Sequence, residues 1–137
     1  MSKYDGYPTE ITNGDHLAAA LKAMGYVVEC HAEAQTLIDY HGHPRPEKAN
    51  VIVRREHIGS ASNDVGFVRG ADGKYTAIIS EYDREVHCGA DWMARLKVNY
   101  QEQRQVAIMR AKGFTVASRE VVQTAQGQRV RLAFQGR

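Results

Sequence analysis

Apolar positions recur along this chain with two periods, and the switches between them set the expected elements. Residues 9–12 (Thr9-Glu10-Ile11-Thr12) read as a short strand. Asn13-Gly14-Asp15 then supplies capping oxygens before Leu17, Ala20, Leu21 and Met24 repeat at helical spacing. Gly25 is placed to end that helix in the left-handed conformation, and the β-branched run Tyr26-Val27-Val28-Glu29-Cys30 predicts a strand. Residues 36–40 predict another. His41-Gly42-His43-Pro44-Arg45-Pro46 predicts a loop, because its prolines lack backbone donors and hold their predecessors extended.

Residues 50–55 read as a well-covered strand, and a polar stretch separates them from Val65-Gly66-Phe67-Val68. The sharpest local signal is Asp72-Gly73, which tolerates positive φ and predicts a hairpin joining the Phe67 strand to Tyr75-Thr76-Ala77-Ile78-Ile79. A long helix is expected over 90–112, with Met93, Leu96, Tyr100, Ala107 and Ala111 as its apolar stripe and Gly113 as its stop. Residues 114–117 begin a strand. After a turn at 125–128, Val130, Leu132 and Phe134 alternate with Arg129, Arg131 and Ala133, giving one covered and one basic face.

The two helix exits, Met24-Gly25-Tyr26-Val27-Val28 and Lys112-Gly113-Phe114-Thr115-Val116, resemble each other. They read either as a β-α-β-β pseudo-repeat or as two uses of a common junction. The element order predicts one α+β domain over 1–137, with a largely antiparallel sheet, two helices packed on one face and the opposite face open to a partner.

Composition narrows the function classes. Eighteen Lys+Arg against sixteen Asp+Glu leave a formal +2, too balanced to predict a nucleic-acid partner by itself. No apolar run approaches a membrane span, and the polar start Met1-Ser2-Lys3-Tyr4-Asp5-Gly6 lacks the core of a signal peptide, so the expectation is a cytoplasmic protein with no membrane partner. In that setting Cys30 and Cys88 read as reduced thiols.

The quoted segments also resemble a known family. Met24-Gly25-Tyr26-Val27-Val28, Lys48-Ala49-Asn50-Val51-Ile52-Val53-Arg54, Asp64-Val65-Gly66-Phe67 with Asp72-Gly73-Lys74-Tyr75, and the final Arg129-Val130-Arg131-Leu132 are similar, in order and spacing, to domain-of-unknown-function family 1257. That family includes a hypothetical chloroplast reading frame, number 35, of algae and cyanobacteria. The chain departs from it after the hairpin, where an aspartate and tryptophans are usual and Ser80-Glu81-Tyr82-Asp83-Arg84-Glu85-Val86 stands instead; Asp83 and Trp92 read as displaced equivalents. The resemblance implies no activity. Its members are often encoded near a AAA-type ATPase, which implies an accessory role.

Three clusters carry candidate chemistry. Cys30-His31, His41-Gly42-His43 and His87-Cys88 contain zinc-type ligands, so Cys30, His41, His43 and Cys88 are the candidate metal set, although no CxxC or HExxH spacing is present and no cofactor is needed for the fold. Cys88 beside His87 is also a candidate activated thiol, without a third residue to orient a base. Asp83, Glu85 and Asp91 are spaced like the solvated start of a helix, and Gly66 to Gly73 reads as a turn rather than a phosphate loop.

Arg54, Arg69, Tyr75, Arg129 and Arg131, with Arg55 and Phe67, form a candidate basic and aromatic sheet surface. The expected function is a non-catalytic protein-binding or adaptor module, and the family resemblance implies that it is accessory to a AAA-type ATPase complex. The alternatives are a zinc-type metal protein and an RNA-binding module. An exposed strand edge also allows a homodimer.

Overall fold

A computed structural model of the chain describes residues 3–136, so Met1 and Ser2 of the polar start and Arg137 lie outside the described residues. Among those described, five strands form an antiparallel sheet. They are β1 (Tyr4–Pro8), β2 (Glu29–Ile38), β3 (Pro44–Val53), β4 (Val65–Arg69) and β5 (Tyr75–Ser80), in the order β1-β5-β4-β3-β2. The helices are α1 (Gly14–Ala23), α2 (Glu81–Val86) and α3 (Ala90–Ala111). A separate two-stranded ribbon, β6 (Thr115–Thr124) with β7 (Gly127–Gln135), follows α3. The α+β expectation holds, but the sheet is split in two.

Local chemistry explains the joints. Asn13 caps α1 by accepting the His16 N–H at 3.0 Å. Both long helices end in the same motif. Gly25 (φ +99) brings the Tyr26 N–H to Leu21 O at 3.1 Å, and Gly113 (φ +90) brings the Phe114 N–H to Met109 O at 3.0 Å. Each exit leads into a long antiparallel hairpin, yet β2–β3 joins the main sheet while β6 and β7 pair only with each other. Gly73 (φ +83) makes the β4–β5 turn, where the Gly70 N–H donates to Lys74 O at 2.8 Å.

α1 and α3 cover one face of the sheet. Leu17, Ala20 and Leu21 meet Trp92, Leu96 and Tyr100 over Val51, Val53, Val65, Phe67, Ala77 and Ile79. Trp92, Leu96 and Tyr100 are four residues apart and so form one stripe. The indole N–H of Trp92 donates to Tyr26 Oη at 2.9 Å, which satisfies the polar atom of the largest core side chain.

The opposite face is less open than expected. A second buried cluster of Tyr4, Leu37, Ala49 and Ile52 sits there, and Gly66 is its contact point: a β-carbon at that position would collide with Ala49 and Leu37. Other boundaries also moved. The first strand is β1, and residues 9–12 link it to α1. The two strands expected at 26–30 and 36–40 are one, β2, bulged between Cys30 and Gln35. The expected loop at 41–46 is a shorter turn, because Pro44 and Pro46 lie in the part of β3 that has β2 as its neighbour and no ladder to β4.

Candidate functional site

The buried polar residues arise at the ends of strands. Asp64 precedes β4 and is almost fully buried. Its Oδ2 accepts the Ile38 N–H at 2.7 Å and Arg54 Nη1 at 2.8 Å, and its Oδ1 accepts the Arg55 N–H at 2.7 Å. Arg54 also reaches Glu29 through Nε at 2.8 Å and Nη2 at 3.0 Å, and Nη1 donates to Thr36 O at 3.2 Å. The Arg54 hydrogen bonds hold the Glu29 carboxyl down at about 2, and the Arg54 guanidinium is held above its ordinary range by the same pair. Arg54, expected on a partner surface, is therefore an internal tie with its donors engaged.

Asp83 is a second such centre, at 0% exposure. Ser80 caps α2 by accepting the Asp83 N–H at 3.1 Å, and Asp83 Oδ2 accepts from Ser80 Oγ and from the Asn63 N–H, both at 2.9 Å. Asp83 Oδ1 lies 3.0 Å from His87 Nδ1, and Ser62 Oγ lies 3.2 Å from that same nitrogen. Ser62, His87 and Asp83 have the residue types of a hydrolytic triad without its geometry, which needs the hydroxyl and the carboxylate on opposite ring nitrogens. His87 Nε2 instead packs over Gly59. Of the solvated acidic positions expected at Asp83, Glu85 and Asp91, Glu85 and Asp91 are exposed, whereas Asp83 is a buried, hydrogen-bonded hub.

The candidate metal set does not converge. Cys30 and the turn carrying His41 and His43 stand at opposite ends of the β2–β3 ladder, and Cys88 is buried at the α2–α3 junction. Among the described residues, no three His, Cys, Asp or Glu side chains group as a metal site. His41 and His43 are adjacent, ring centroids 6.0 Å apart, because buried Asp39 Oδ1 accepts both their backbone N–H groups, at 2.9 and 3.0 Å. Burial acts to raise the Asp39 carboxyl, but those N–H groups, with His43 and Arg45 nearby, hold it below its ordinary value. Burial, with Asp83 second, pushes the Cys88 thiol up to about 12, so the candidate nucleophile is a thiol and not a thiolate at neutral pH.

The candidate sheet surface is also dispersed. Tyr75 and Phe67 point into the core beneath the helices. Arg69 is exposed at the end of β4, and Arg129 and Arg131 lie on β7, outside the main sheet. Arg131 stands 3.6 Å from Glu120 across the ribbon.

What sequence patterning missed is the trough between α3 and the ribbon, about 740 Å³ in volume. Ala94, Lys97, Val98, Gln101, Glu102 and Gln105 of α3 face it at helical spacing, opposite Val130, Leu132 and Phe134 of β7. This second stripe is mostly polar, so it leaves no strong amphipathic signal. Arg119 of β6 clasps Glu102 with Nε and Nη2, at 2.7 and 3.0 Å, and fixes the ribbon beside the helix. The ribbon is otherwise thinly covered: Val116 and Val121 are exposed, and neither strand pairs beyond the other.

No curated protein and no solved structure matches the chain. No helix among the described residues is long and apolar enough to cross a membrane. The family model described as "Protein of unknown function (DUF1257)" matches residues 20–132, from α1 through most of β7. The β4–β5 hairpin, both helix exits and β6 fall inside that span, and the chain belongs to this family.

Proposed function

We propose that this protein is a non-catalytic binding module that engages another protein through α3 and the β6–β7 ribbon, as an accessory to a AAA-type ATPase complex. The ribbon carries the reading. Among the described residues its two strands pair in a backbone ladder only with each other, its apolar residues are half-buried or exposed, and two-stranded ribbons need further packing for independent stability. A surface of that kind is suited to a partner that completes it. Asp64, Arg54, Asp83 and His87, by contrast, are engaged with their own chain. The class of partner rests on the family resemblance.

Affinity capture of the full chain at its natural abundance, followed by assay of any captured ATPase with and without the chain, tests the reading. A stoichiometric ATPase whose turnover or assembly changes supports it. A chain that elutes alone, or with nucleic acid only, overturns it.

A further inference from the structure

The charge of this chain is divided along its length in a way the net value hides. Residues 101–137 hold seven of the eighteen basic residues but two of the sixteen acidic ones, a formal +5, which leaves residues 1–100 at −3. Both acidic residues of the arm are neutralised within it, Glu102 by Arg119 and Glu120 by Arg131. Among the described residues, Arg104, Arg110, Lys112 and Arg129 of the arm have no acidic partner within ion-pair distance, nor has Lys97 at the trough. Two of these unpaired cations, Lys97 and Arg129, line a trough whose floor is apolar.

We infer that the trough between α3 and β7 is a docking site for an acidic amphipathic helix of the partner protein, an inference that rests on the protein-binding reading above. The floor sets the apolar side of the guest. Val98 from α3 and Val130, Leu132 and Phe134 from β7 are half-buried and face the same space. The rim sets its charge, since Lys97 and Arg129 are exposed there and would pair with carboxylates flanking the guest's apolar stripe.

The dimensions set its form. Ala94 to Gln105 spans about 16 Å of helix axis, which matches three turns of a guest helix with anchors at i, i+4, i+7 and i+11. Four glutamines, Gln101, Gln105, Gln126 and Gln128, line the rest with neutral donors and acceptors. Nucleic acid fits less well, because base stacking needs a row of aromatic rings and the lining offers Phe134 alone.

The probe is a fluorescein-labelled helical peptide of about 18 residues, with leucines at i, i+4, i+7 and i+11 and glutamates on the flanking positions, titrated with the full chain by anisotropy. Saturable binding is expected, weakening as salt rises and falling by about tenfold or more in Arg129→Glu and in Leu132→Asp. The same peptide with lysines for glutamates should not bind. Arg129 is exposed, so Arg129→Glu decides the matter even where Leu132→Asp disturbs the ribbon.

Equal binding by both variants and the parent overturns the site. So does a labelled oligouridylate that binds more tightly than the peptide and is lost in Arg129→Glu, which would give the trough to nucleic acid. A captured protein partner retained by both variants removes the trough but leaves the binding module standing; the absence of any protein partner removes the module itself.

Discussion

Arg54 Nη1 lies 2.8 Å from Asp64 Oδ2, and that same oxygen accepts the Ile38 N–H at 2.7 Å. One buried carboxylate therefore joins the end of β2, the end of β3 and the loop before β4. Tyr4 Oη adds β1 by donating to the Asp64 carbonyl at 2.7 Å. Asp64→Ala should remove one acceptor of the Arg54 guanidinium and leave two backbone N–H groups without theirs, at a cost of about 3 kcal/mol in chemical denaturation. Arg131→Ala, which removes an exposed pair at 3.6 Å, should change stability by less than about 0.5 kcal/mol. Equal costs would show that Asp64 is not the tie.

Acid should unfold this protein by titrating Glu29 and Asp39. Both carboxyls are held below their ordinary values in the fold, Glu29 at about 2, so in acid the unfolded chain binds more protons than the folded one. Their stabilisation is complete above about pH 4.5 and is lost as pH falls through the folded values. Urea midpoints at pH 7, 5 and 3 should decline in that window, and Glu29→Gln should flatten the decline. An unchanged slope in Glu29→Gln would remove Glu29 from the effect.

The two thiols should be told apart by a disulfide reagent at pH 8. Cys30 is exposed on β2, whereas Cys88 is buried with its thiol pushed up to about 12. One equivalent should react in the folded protein and the second only on unfolding. Two rapid equivalents in the native state would place Cys88 at the surface.

Gly66 and Gly73 should fail for different reasons. Gly66→Ala drives a methyl against Ala49 and Leu37 in the second core cluster and should cost about 1–3 kcal/mol. Gly73 has open space around it but φ +83, so Gly73→Val strains the backbone of the turn, again by about 1–3 kcal/mol. Gly73→Asn should recover most of that loss, since Asn tolerates the left-handed region, whereas no polar replacement should rescue Gly66. Thermal melts of the three variants separate the two causes.

The elements that were legible are those whose hydrogen bonds close within a few residues. The Asn13 cap, the Gly25 and Gly113 exits, the Asp72-Gly73 hairpin and the long α3 each depend on neighbours in the chain, so residue type and spacing were enough. The alternation of Val130, Leu132 and Phe134 was legible too, but not the surface they rest on.

What the candidate site needed was not local. The partners of Arg54 lie ten and twenty-five residues away, at Asp64 and Glu29, and those of Asp83 include Asn63 across the loop before β4. Arginine and aspartate look alike in sequence whether they face water or each other, because burial is decided by what packs over them. The sequence by itself determined an α+β chain of capped helices, glycine exits and hairpins. Only the tertiary structure decided that β6 and β7 leave the sheet, that Phe67 and Tyr75 turn into the core, and that Lys97 and Arg129 line a trough floored by Val98, Val130, Leu132 and Phe134. Periodicity shows which side of an element is apolar; contacts between distant residues decide what that side meets.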